Sequence, residues 1–196
     1  MPKWITGLTR GGEYLASKLR IVYWFAAQYY RDVIKKEIGL ANITGKDSIL
    51  CIGGGACPFS AILFHQATGA KVTVIDNNHA CISKARKVID RLGLGGYVHV
   101  FYHDGGSMGL SLSQYSVVHF ALQVSPMEHV FSRVEKRVAH GTKLLVRRPK
   151  SRASNLYGRL PDISEACCPH VVHGKALNIG STLLYVKGER TIEKPT

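Results

Sequence analysis

Acidic residues are scarce. Thirteen Asp and Glu stand against 26 Lys and Arg in 196 residues, a formal net charge of +13. A surplus of this size bears on partners rather than on fold, and it points to an anionic one: a carboxylate- or phosphate-bearing substrate, or nucleic acid. Long apolar runs are missing too. The longest, from Ile21 to Ala27, is far short of the roughly 20 residues a spanning helix needs, so no membrane association is expected. There is no internal repeat, no low-complexity stretch and no Pro/Ser-rich linker, which excludes solenoids, collagen-like arrays and disorder. The five cysteines are odd in number and include no Cys-x-x-Cys pair, so reduced thiols of a cytoplasmic protein are expected. The opening Met-Pro-Lys-Trp-Ile-Thr-Gly has no apolar core of a signal peptide and reads as mature cytoplasmic sequence. In Cys167-Cys168-Pro169-His170-Val171-Val172-His173 the histidines are three apart, which places them on opposite faces of a strand. That is not a standard zinc spacing, and no metal is expected.

What is present is a regular alternation. Leu15, Leu19, Val22, Ala26, Tyr29 and Val33 recur at helical spacing, with Gly39 as the expected stop. Residues 1–45 therefore read as an N-terminal helical extension and 46–196 as a ligand-binding domain. Strands are expected at Ser48–Ile52, Lys71–Ile75, Tyr97–Tyr102, Ser116–Ala121 and Thr142–Arg147, with a last antiparallel pair near Pro169–His173 and Ser181–Lys187. Between them run helices: one opened by Pro58, one capped by Asn77 or Asn78 and ended by Gly93, and one opened by Pro126. Strands alternating with helices predict a doubly wound α/β fold with a mainly parallel, seven-stranded Rossmann-like sheet.

The stretch Cys51-Ile52-Gly53-Gly54-Gly55-Ala56-Cys57-Pro58 lies at the carboxyl end of the first strand, where open α/β sheets bind ligands. Asp76 ends the second strand about 20 residues on, the place of an acid that accepts from ribose hydroxyls. Asp104 ends the third, where it can meet an adenine amino group. Together they read as an adenosine-type cofactor site. The contacts expected are Gly53, Gly54, Gly55, Asp76 with neighbouring Asn77, Asp104 with neighbouring Gly105, and Ala121 at the tip of the fourth strand. Pro58 removes an N–H that a pyrophosphate would use, and no P-loop lysine is present. S-adenosylmethionine, which has no phosphate, fits better than a dinucleotide.

These motifs resemble the class I S-adenosylmethionine-dependent methyltransferases over about residues 46 to 188. Cys51 stands where such proteins usually carry an acid, and Cys57 where they carry a third glycine. The loop with its proline is more similar to that of the nicotianamine synthase-like family. So are Ser60-Ala61-Ile62-Leu63, the stretch from Leu145-Val146-Arg147-Arg148 to Leu156-Tyr157, and the aromatic Trp24-Phe25 to Tyr29-Tyr30 segment. The resemblance implies an S-adenosylmethionine-dependent transferase that moves an aminocarboxypropyl group to an amine of a small amino-acid-type acceptor.

Either transfer is an in-line displacement from a sulfonium, in which alignment supplies roughly 7–11 kcal/mol. An amine nucleophile needs a base, for which Tyr29, Tyr30, Glu13 and His119 are candidates. Arg147 or Arg148 is expected to hold a substrate carboxylate through its fork. The Asn/Asp-Pro-Pro-aromatic loop of nucleic-acid amino methyltransferases is replaced by Ala121-Leu122-Gln123-Val124, so nucleic acid is not the favoured partner. A methyltransferase acting on a small molecule or RNA, a non-enzymatic cofactor-binding module, and a homodimer all remain compatible with the sequence.

Overall fold

The structure, a computed structural model, describes residues 20–104, 111–157, 159–161, 163 and 168–189; of residues 20–27, 155 and 156 it describes the backbone only. Four helices are found: α1 (Arg20–Ala41), α2 (Phe59–Thr68), α3 (His79–Arg91) and α4 (Met127–Glu135). The strands are β1 (Ser48–Ile52), β2 (Lys71–Asp76), β3 (Val98–Tyr102), β4 (Val117–Phe120), β5 (Lys143–Pro149), β6 (His170–Val172) and β7 (Ile179–Val186). They form one seven-stranded sheet in the order β3-β2-β1-β4-β5-β7-β6. The first five are mutually parallel; β7 runs antiparallel to β5, and β6 antiparallel to β7. The antiparallel pair is thus present at the sheet edge, with the later strand inside and the earlier one outermost.

The sheet is buried on both faces, which is why its strands read as continuous β-branched and aliphatic runs. Along β1, Ile49 and Cys51 face a cluster that includes Phe64 and Ile62 of α2, Ile82 and Ile89 of α3 and Ile34 of α1. Leu50 and Ile52 face the other side, with Phe120, Val146, and Met127 and Phe131 of α4. Helix α1 therefore shares the core of the sheet.

Helix α1 runs through Gly39, the expected stop. It ends where Asn42 takes the left-handed φ of 47° and the Ile43 N–H returns to the Ile38 carbonyl at 3.0 Å, a Schellman closure. Burial of Ala41 and Ile43 holds that last turn in place. Asn78 is the cap of α3, its side chain accepting from the Ala80 N–H at 3.0 Å. Leu92, expected to face inward, is exposed because the helix ends one residue earlier.

Candidate functional site

The glycine loop leaves the carboxyl end of β1 and is tied to both neighbouring strands. The Gly53 N–H donates to the Ile75 carbonyl at 2.9 Å, and the Ala121 N–H to the Ile52 carbonyl at 3.1 Å. Gly53 has a φ of +83°. Gly54 is required for a different reason: a Cβ there would lie 2.2 Å from Val74 Cγ1, inside a packed β-branched side chain. Asp76 clamps the loop. Its Oδ2 accepts from the Gly55 N–H at 2.8 Å and its Oδ1 from the Asn78 N–H at 2.9 Å. Each oxygen keeps a second lone pair for a ligand.

Two cavities open at this edge and meet at Ile52, Gly53 and Gln123. The first is polar and lies over the tips of β1, β2 and β3; Gly53, Gly55, Asp76, Asn77 and Asp104 line it. The second lies over the tips of β1, β4 and β5 beneath α1, and Gly54, Ala121, Tyr29, Tyr30 and Arg147 line it with Cys51, Phe59, Ser60, His119 and Tyr157. Arg148 lines neither cavity. Glu13 and Gly105 lie outside the described residues.

The structure assigns Arg147 a partner within the chain. Its Nε donates to Glu37 Oε1 at 2.7 Å, its Nη2 to Glu37 Oε2 at 2.8 Å and its Nη1 to Ser60 Oγ at 3.0 Å. The fork expected to take a substrate carboxylate is therefore filled by Glu37, on α1. Both side chains are buried, at 3% and 0% exposure, where an unpaired charge could not persist. The carboxylate binds further: the Thr182 hydroxyl donates to Glu37 Oε1 at 2.7 Å. That hydroxyl in turn accepts from His173 Nε2 at 2.8 Å, which makes His173 the Nε2–H tautomer.

Burial pushes the Glu37 carboxyl upward, but Arg147 and then His119 outweigh it and hold it well below the usual carboxylate range. Burial depresses His119, aided by Arg147 and only partly opposed by Glu37, so its imidazole is neutral. Burial also pushes the Cys51 thiol up to about 12, which leaves an inert, uncharged group where related folds carry an acid.

Glu37 was absent from the sequence-level candidates because Lys35 and Lys36 beside it suggest a solvated turn. A signal was available: Val33, Ile34, Ile38 and Ala41 place position 37 on the apolar stripe of α1, and an acid on such a stripe needs a buried partner. Tyr30 stacks on Phe59 at 5.6 Å and 12°, and meets Tyr29 edge-on at 5.0 Å. The Tyr29 hydroxyl accepts from the Leu177 N–H at 2.6 Å. Of the two histidines weighed for metal, His170 is exposed and His173 is buried, and they do not converge.

A seven-stranded sheet of this order, with a glycine loop after β1 and acids after β2 and β3, defines the class I S-adenosylmethionine-dependent methyltransferase fold, and comparison with solved structures agrees. The chain is similar to the nicotianamine synthase MtNAS in complex with S-adenosylmethionine: TM-score 0.77 and 24% identity, over 94% of this chain and 75% of that one. MtNAS in complex with MTA and tNA gives the same TM-score and identity, over 94% and 73%. An RNA methyltransferase from Salinibacter ruber bound to S-adenosyl-L-homocysteine superposes with TM-score 0.63 at 18% identity, over 83% of this chain and 95% of that one. No protein-family model and no curated protein sequence matches the chain.

Proposed function

We propose that the protein is an S-adenosylmethionine-dependent transferase, with the cofactor in the first cavity and the acceptor in the second. The observation that carries this reading is their junction at Gly53: a ligand laid along the tips of β1 to β3 would present its sulfonium end to the second cavity. The residues suit that cofactor. Asp76 and Asp104 offer acceptors to ribose and adenine, the glycines admit close backbone approach, and Pro58 at the N-cap of α2 offers no N–H to a phosphate. When bound, the cofactor supplies a carbon activated by a sulfonium whose sulfur leaves uncharged.

Of the two transferable groups, we favour the aminocarboxypropyl group, delivered to an amine. Cys51 presents an uncharged thiol, and no acid at the end of β1 holds the cofactor's amino group in the pose a methyltransferase uses. That amino-acid end is free to turn its carbon toward the second cavity. The likeness to MtNAS over nearly the whole chain supports the same choice.

Calorimetry with S-adenosylmethionine tests the cofactor. Incubation with an amine acceptor then tests the transfer, because methylthioadenosine forms if the aminocarboxypropyl group moves and S-adenosylhomocysteine if the methyl group does. Absence of binding would overturn the whole reading; S-adenosylhomocysteine as product would overturn its finer part.

A further inference from the structure

We infer that the second cavity takes an acceptor with a flat, apolar body and one uncharged amine, and that His119 receives the proton released as the new bond forms. The inference rests on the transferase reading above and adds the substrate class and the base.

Charge decides against a carboxylate-held acceptor. Among the described residues that line the cavity, the charged side chain is Arg147, and Glu37 and Ser60 occupy its Nε, Nη2 and Nη1. A substrate carboxylate there would have to break a buried two-bond ion pair or remain uncompensated in an apolar site. The walls suit something else. Tyr29, Tyr30, Phe59 and Tyr157 supply rings, and Leu122 and Ile179 add aliphatic surface. The Tyr30–Phe59 stack shows that flat groups pack face to face here.

His119 is the unexplained part of this cavity. It is fully buried, yet neither ring nitrogen has a hydrogen-bond partner. Its Nε2 stands 3.6 Å from Glu37 Oε2, beyond hydrogen-bond range. Buried polar atoms left unpaired are rare in folded proteins, and those that occur call for a ligand or a function. A proton on Nε2 is the one the carboxylate favours, which leaves the lone pair on Nδ1. The step then balances. The amine nitrogen attacks the sulfonium-bound carbon, the C–N bond forms as the C–S bond breaks, and the electron pair stays on sulfur as a neutral thioether. The resulting ammonium passes its proton to His119 Nδ1. The imidazolium so formed lies beside Glu37 and returns the proton to solvent after the product leaves.

The experiment uses the full chain with S-adenosylmethionine. Acceptors are p-anisidine, whose amine stays uncharged over the pH range studied, benzylamine and, for contrast, glutamate. Calorimetric binding of S-adenosylhomocysteine is measured first. Its absence in the unmodified protein defeats the transferase reading itself, whereas binding without turnover of either aryl amine defeats only this inference. The inference expects p-anisidine or benzylamine to give a kcat/KM at least tenfold above that of glutamate; the reverse order overturns it. His119→Gln is expected to lower kcat about 100-fold or more, keep KM within threefold, and abolish the acid limb of kcat. An acid limb that survives in a folded His119→Gln protein overturns the assignment. If that variant does not fold, the unmodified protein decides: an acid limb centred below pH 6.5 supports His119, and a flat profile rules it out.

Discussion

Glu37 and Arg147, 110 residues apart in the chain, meet in a two-bond ion pair of 2.7 and 2.8 Å that joins α1 to the end of β5. The pair anchors the helix that roofs the second cavity, and Tyr29 and Tyr30 reach that cavity from the same helix.

Removing one partner should be far worse than removing both. Glu37→Gln leaves a buried guanidinium without its countercharge and is expected to destabilise the protein by about 3–5 kcal/mol. The double variant Glu37→Leu with Arg147→Met should regain most of that loss, since apolar residues of similar size replace buried pairs at little or no cost. Urea denaturation of the three proteins measures the difference. A double variant no more stable than Glu37→Gln would contradict this account.

Stability should fall on mild acidification. Burial depresses both His119 and His173 below their ordinary value of 6.5, so the unfolded chain binds protons that the folded chain refuses. Unfolding is then favoured as pH drops below about 6.5, while the native state is unaffected above it. Glu37, held low in the folded state, is the opposite kind of group by charge but acts in the same direction: its contribution is complete above the ordinary carboxylate range and fades at more acidic pH. Thermal melts between pH 7.5 and 5 should decline, and a combined His119→Gln and His173→Gln protein should decline less steeply.

Gly54→Ala should damage the loop through contact rather than through backbone strain. The added methyl meets Val74 Cγ1, and overpacking of this kind costs about 1–3 kcal/mol. Adding Val74→Ala opens the space and should restore cofactor binding measured by calorimetry. If Gly54→Ala alone binds as the parent does, the close approach at this position is not needed.

Asp76→Ala should do two things at once. The Gly55 and Asn78 N–H groups lose their acceptor, and ribose hydroxyls lose theirs. The cofactor affinity should weaken by about 1–3 kcal/mol, roughly ten- to a hundredfold, with the fold retained. Asp104, which is exposed, should contribute less when changed to Asn. Titration of S-adenosylhomocysteine into both variants ranks them.

Much of the architecture was legible along the chain. β1 runs over the expected residues, Asn78 is one of the two expected caps, and the antiparallel edge pair is present. These features depend on neighbours in sequence: a β-branched run, a cap followed by a helical stripe, a glycine turn. Gly39 misled for the same reason. A local breaker was outweighed by the burial of Ala41 and Ile43, which no local pattern measures.

The chain alone therefore determined the order of strands and helices and the place of the glycine loop, since periodicity and turn chemistry act over a few residues. Only the folded molecule decided that Arg147 belongs to Glu37, that the Thr182 hydroxyl bridges that carboxylate to His173, and that His119 stands buried without a partner. Those facts arise where α1, β4, β5 and β7 converge. Which charges neutralise one another there is settled by distance in space and by burial away from water, and spacing along the chain encodes neither.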